Sequence, residues 1–105
     1  MLKFVALDKI FRGLADPTRR FMVEALCDGE ASVSWLAEPL PMNFPAILQH
    51  LRLLEESGLI HTQKVGRVRT CSIEPQALKL VDEWISERRR VFDPHFRGPS
   101  WLLHG

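Results

Sequence analysis

The sequence predicts a mainly α-helical fold with a small β-hairpin, five helices plus a wing, and three observations carry that prediction. Apolar residues recur at helical spacing in separate stretches. Asp, Ser, Asn and Pro stand where those stretches begin, and Gly or Pro where several of them end. Residues 59–64 and 68–73 alternate moderately on either side of a Val65-Gly66 turn. From Ser32 to residue 73 the order is helix, turn, helix, hairpin, which is the outline of a winged helix-turn-helix. With 105 residues, 46% of them hydrophobic, the whole chain reads as a single domain with a modest core.

Each element has its own signal. In the first helix, residues 4–14, Leu7, Ile10, Phe11 and Leu14 form an apolar stripe. Asp16 caps the second helix and Pro17 takes its first position, where the missing N–H does no harm. Phe21, Met22, Ala25 and Leu26 are its expected buried stripe, and Asp28-Gly29 ends it. Ser32 caps a short third helix carrying Val33, Leu36 and Ala37, which Pro39 and Pro41 stop. Asn43 caps the fourth, Pro45 lies in its first turn, and Gly58 ends it. At about 100° per residue, Ile47, His50, Leu51 and Leu54 fall on the core side, with Pro45, Gln49, Arg52 and Glu56 opposite. The hairpin follows, with Ile60 and Val68 expected to point inward. Pro75 opens the last helix, residues 75–93, whose stripe is Leu78, Val81, Trp84, Ile85 and Phe92, and Pro94 ends or kinks it. The tail from Pro94 to Gly105, with His95, Phe96, Pro99 and Trp101, has no regular pattern.

Composition excludes several classes. No apolar run approaches the roughly 18 to 20 residues of a bilayer span, and no secretory signal pattern opens the chain, so a soluble cytoplasmic protein without membrane contact is expected. Cys27 and Cys71 fit neither a metal motif nor a disulfide framework, and both are expected as reduced thiols. An oxidant-sensing Cys71 near Arg69 is the alternative to a small apolar strand residue. There is no Gly-rich phosphate loop or nucleophile elbow, and the adjacent acids Glu55-Glu56 and Asp82-Glu83 point in different directions, so no enzyme is expected. No cofactor and no metal site is expected, because no three or four Cys, His or carboxylate groups converge. His50 reads as a packed, hydrogen-bonded residue.

The formal net charge is only +1, so any positive surface is local. Lys64, Arg67 and Arg69 concentrate on the wing, residues 61–71, directly after the helix-turn-helix, where basic groups gain from counterion release beside a duplex. Arg19 and Arg20 open the second helix, and the cluster Arg88 to Arg90 reads instead as a solvated face. Double-stranded DNA is therefore the expected partner. The candidate contacts are Asn43, Phe44, Pro45, Leu48, Gln49 and Arg52 of the fourth helix, residues 43–57, together with Lys64, Arg67 and Arg69. Gln49 can pair with adenine N6 and N7, and Phe44 and Leu48 can meet thymine methyls, which suits an A·T-rich half-site, while Arg52 holds phosphate. The two terminal helices are more apolar than a small winged domain requires, so Leu7, Phe11, Leu78, Val81, Trp84 and Ile85 are expected at a homodimer interface. The alternative is an interaction module with weak or no DNA binding that uses Phe44, Leu48 and Trp101-Leu102-Leu103 against a protein.

The runs Leu14-Ala15-Asp16-Pro17-Thr18-Arg19-Arg20, Ser32-Val33 with Leu36-Ala37-Glu38-Pro39-Leu40, Met42-Asn43 with Pro45-Ala46-Ile47, and His50-Leu51 with Leu54-Glu55 and Ser57-Gly58-Leu59-Ile60 occur in a telling order. In these the chain resembles the ArsR/SmtB family of bacterial transcriptional repressors over nearly its whole length. The resemblance implies a homodimer with a winged helix-turn-helix in each subunit, bound to an imperfect palindrome and blocking transcription. It also shows departures. Where metal-sensing members carry a cysteine-containing stretch at the third helix, this chain has Glu30-Ala31-Ser32-Val33-Ser34-Trp35-Leu36, and its last helix offers Asp82 but no histidine before His95. A subtype without a metal sensor is expected, and no effector is identified. Where the family puts a polar residue and a small hydroxyl on the reading face, Phe44 and Leu48 stand here.

Overall fold

The cap signals become helix starts. The computed structural model describes residues 2–92 and His95, with side chains from Val5 onward. Its helices are α1 (Leu2–Leu14), α2 (Pro17–Cys27), α3 (Val33–Ala37), α4 (Phe44–Glu56) and α5 (Pro75–Phe92). All three expected caps form: Asp16 accepts the N–H of Arg19 at 3.0 Å, Ser32 that of Trp35 at 3.1 Å, and Asn43 that of Ala46 at 2.9 Å. Each satisfies a backbone donor that has no partner inside its own helix. The tail reading from residue 94 lies outside the described residues, His95 excepted.

The arginines after the Asp16 cap have a role their charge did not suggest. Arg19 donates from Nε to the carbonyl of Gly13 at 2.8 Å and from Nη2 to that of Arg12 at 3.1 Å, and Arg20 Nη1 reaches the carbonyl of Leu14 at 2.8 Å. Together they cap the C-terminus of α1, where orphan carbonyls and the negative end of the helix dipole favour cations. The pair thereby forms the corner between the first two helices.

The sheet has one strand more than the expected hairpin. β2 (Ile60–Val65) and β3 (Val68–Ile73) pair antiparallel, and β1 (Ala31–Ser32) pairs with the other edge of β3, giving the order β1-β3-β2. Two residues carry no alternation to recognise, and their partners Cys71 and Thr70 lie far along the chain. Gly66, at φ +62°, makes the tip turn in the left-handed region that a β-carbon disfavours.

The core joins Met22, Leu26, Leu36, Ile47, Leu54, Leu59, Ile60 and Cys71, all fully buried. Ile60 points inward as expected, but Val68 does not and is 51% exposed. Thr62 faces Cys71 and Val65 faces Val68 in the register, so the inward parity on β3 belongs to Arg69, Cys71 and Ile73, and Val68 sits at the tip on the opposite face. Phe21, expected in the buried stripe of α2, is 40% exposed, and Val23 is buried in addition to Met22 and Leu26. Leu7 is only 3% exposed within the single chain, so its surface is already spent inside the subunit and little remains for a partner. Leu78 and Val81 are partly buried against the core, whereas Phe11, Trp84 and Ile85 are exposed on the α1 and α5 surface. Phe11 and Trp84 meet edge to face at 5.5 Å, and the Arg88 guanidinium lies 5.0 Å from the Trp84 ring.

Candidate nucleic-acid interface

Burial of Ile47, Leu51 and Leu54 fixes the rotation of α4 about its axis, and that rotation decides what the opposite face shows. Asn43, Phe44, Pro45, Leu48, Gln49 and Arg52 are all exposed there, Phe44 at 53% and Leu48 at 40%. The Asn43 cap and Pro45 set the helix start at the end that carries most of these groups.

His50, placed on the core side by periodicity, lies at the edge of the core and is partly buried. Its Nδ1 stands 3.3 Å from Arg19 Nη1 and 3.8 Å from an Asp16 oxygen, so the back of α4 is tied to the start of α2. The backbone N–H of Arg19 holds the Asp16 carboxyl below the usual carboxylate range; burial opposes this, and the charges of His50 and Arg19 add to it. The group is therefore ionised, and its cap strongest, at neutral pH.

The hairpin stands beside this face. Lys64, Arg67 and Arg69 are all exposed on it. A notch of about 340 Å³ separates helix and hairpin and is lined by Leu48, Leu51, Arg52, Glu55, Thr62 and Arg69. Arg52 from α4 and Arg69 from β3 thus border one concavity, although they are seventeen positions apart. Arg69 Nη1 donates to Thr62 Oγ1 at 3.1 Å, and Thr62 donates to the Glu55 carboxylate, whose two oxygens each stand 3.2 Å away. The sequence gives Thr62 no role and shows Glu55 only as one of two adjacent acids on a helix. Only the strand register puts Thr62 on the same face as Arg69 and toward α4, and nothing local announces that register.

Cys71 lies on that inward face and is buried. Burial pushes its thiol pKa up, Glu55 pushes it further, and Arg69 only partly opposes them. This corrects the oxidant-sensor alternative, which needed an exposed thiol of low pKa. Cys27 is the exposed cysteine. Among the described residues no three His, Cys, Asp or Glu side chains gather as a metal site, and no helix is long and apolar enough to cross a membrane.

Comparison with known proteins places this geometry. Residues 16–62, from the α2 cap into β2, match the family model described as bacterial regulatory protein, arsR family. The arsenical resistance operon repressor of Escherichia coli (strain K12) is 35% identical over 86% of this chain and 82% of its own length. The HTH-type transcriptional regulator KmtR of Mycobacterium tuberculosis (strain ATCC 25618 / H37Rv) is 40% identical over 91% of this chain and 70% of its own. Among solved structures, the crystal structure of an ArsR family transcriptional regulator superposes with a TM-score of 0.78 at 43% identity, over 86% of this chain and 93% of that one.

Proposed function

The chain belongs to the ArsR family of bacterial regulatory proteins and is a DNA-binding transcriptional regulator with a winged helix-turn-helix fold; from that premise we propose that it works in the cytoplasm as a homodimeric repressor on a palindromic operator. In this reading α4 enters the major groove with Asn43, Phe44, Pro45, Leu48 and Gln49, and the wing holds flanking phosphates. Gln49 selects adenine through N6 and N7, Phe44 and Leu48 contact thymine methyls, and Arg52, Lys64, Arg67 and Arg69 supply charge. The observation that carries it is the notch, where cations of the helix and of the hairpin border one surface continuous with the exposed α4 face.

Dimerisation is supported by the apolar side chains left uncovered on a single chain. Phe11, Trp84 and Ile85 are exposed on α1 and α5, with Leu78 and Val81 partly buried beside them. A twofold pairing through these helices would present two copies of α4, and half-sites about one duplex turn apart follow from that symmetry.

A salt titration tests the proposal. On a duplex taken from upstream of the protein's own coding region, log affinity should fall linearly with log salt, and Arg67→Ala should lower that slope by about one phosphate contact. Gln49→Ala should lose about 1 to 3 kcal/mol of base discrimination with the salt slope unchanged. An affinity flat in salt would remove the phosphate roles of Arg52, Lys64 and Arg67. It would favour the protein-docking alternative, for which the exposed Phe44 and Leu48 are the supporting observation.

A further inference from the structure

We propose that Thr62 and Glu55 are positioning residues for DNA recognition: the hydrogen-bond chain Arg69–Thr62–Glu55 sets the angle between the wing and α4. The inference rests on reading α4 and the wing as the DNA-contacting surface.

The chain has only one way to run. A threonine hydroxyl offers one proton and two lone pairs, a carboxylate only accepts, and a guanidinium only donates. Glu55 therefore takes the Thr62 proton, at 3.2 Å to either oxygen, and a Thr62 lone pair is left to take the N–H of Arg69 at 3.1 Å. Full charges at both ends strengthen the bonds between them. Among the described residues no direct ion pair joins Glu55 to Arg69, so removing the hydroxyl severs the link instead of shortening it.

Leverage gives the link its importance. Ile60 and Cys71 are buried, Thr62 is partly buried, and every residue from Gln63 to Arg69 is exposed, so Thr62 is where the hairpin leaves the body of the protein. Gly66 lies four positions further on, which at about 3.3 Å per residue puts the tip roughly 13 Å beyond the anchor. A swing of about 10° there displaces the tip by roughly 2 Å, more than a hydrogen bond to a phosphate tolerates. Arg69 itself is drawn diagonally back. Its cross-strand neighbour is Lys64, two positions beyond Thr62, yet its guanidinium reaches Thr62 and borders the notch with Arg52. Lys64 and Arg67 are then the cations at the outer hairpin, aimed by a joint that Glu55 and Thr62 hold.

The test is a double-mutant cycle read by fluorescence anisotropy on the labelled upstream duplex, with wild type, Thr62→Val, Thr62→Ser, Arg67→Ala and the Thr62→Val/Arg67→Ala pair. Thr62→Val should weaken binding about fivefold, the scale of one net hydrogen bond, and Thr62→Ser should restore it to within about twofold. Arg67→Ala should weaken the Thr62→Val protein less than the wild type, because a misaimed wing has already lost that contact. Glu55→Ala cuts the other end of the chain and should show the same coupling; it stands in if Thr62→Val does not fold. Wild-type affinity of Thr62→Val, a full and additive Arg67→Ala effect, or failure of serine to rescue each overturns the proposal while leaving the DNA reading intact. If Arg67→Ala alone changes nothing, Arg67 makes no contact for the joint to aim and the proposal falls, while the DNA reading stands or falls on the salt titration.

Discussion

Replacing Gly13 with alanine tests how closely α1 must approach the end of α4. A β-carbon built on Gly13 would stand 2.8 Å from Ser57 Oγ and 2.9 Å from both Ser57 Cβ and Leu59 Cδ1. Neither neighbour retreats easily. The Ser57 hydroxyl donates to the Leu54 carbonyl at 2.6 Å and accepts from the Leu59 N–H at 3.3 Å, and Leu59 is fully buried. Overpacking of this kind costs about 1–3 kcal/mol. Alanine's helix preference returns at most about 1 kcal/mol, and less here because Gly13 is the penultimate residue of α1. Displacing α1 also strains the Arg19 bond to the Gly13 carbonyl. The net expectation is destabilisation of about 1–2 kcal/mol, seen in urea unfolding as a lower midpoint at unchanged m-value, with protein concentration held fixed. In a Ser57→Ala background the same substitution should cost less, because one of the crowded atoms is gone. A Gly13→Ala protein as stable as wild type, or a cost unaltered by Ser57→Ala, would refute the close-approach argument.

Three further outcomes are expected. The lowered Asp16 pKa means that its contribution to stability is present above the unfolded carboxylate value and is lost as pH falls through the folded one. Asp16→Asn, which keeps the cap acceptor, should therefore soften the acid limb of the stability curve with little change at neutral pH, and Asp16→Ala should lose about 1 kcal/mol there; an unchanged acid limb in the Asn variant would assign it to other groups. A thiol-specific chromogenic reagent should label one cysteine, Cys27, in the native protein and Cys71 only after denaturation, and two fast equivalents would contradict the burial of Cys71. Trp84→Glu should convert the proposed dimer to monomers in sedimentation, and a variant that still sediments as a dimer would move the interface away from α5.

Much of the fold was legible because its signals are local. Asp16, Ser32 and Asn43 announced their helices through side-chain oxygens that satisfy donors three residues on. The α4 stripe likewise told which face is buried, since Ile47, Leu51 and Leu54 recur at the helical period. Strand parity was not legible in the same way. Val68 is apolar and Arg69 charged, yet the register gives Arg69 the inward face, because at the hairpin tip that face has already left the core.

By itself the sequence determined the family, the order of the helices, and the face of α4 that carries Phe44, Leu48, Gln49 and Arg52. Caps, periods and motifs act between residues a few positions apart, so they survive being read along a line. Only the tertiary structure decided that Arg19 and Arg20 close α1, that β1 joins the sheet, and that Glu55, Thr62 and Arg69 meet across the notch. Those contacts depend on how rigid elements pack and on which way a strand's alternating faces turn, quantities that a one-residue shift of register reverses and that no local pattern encodes.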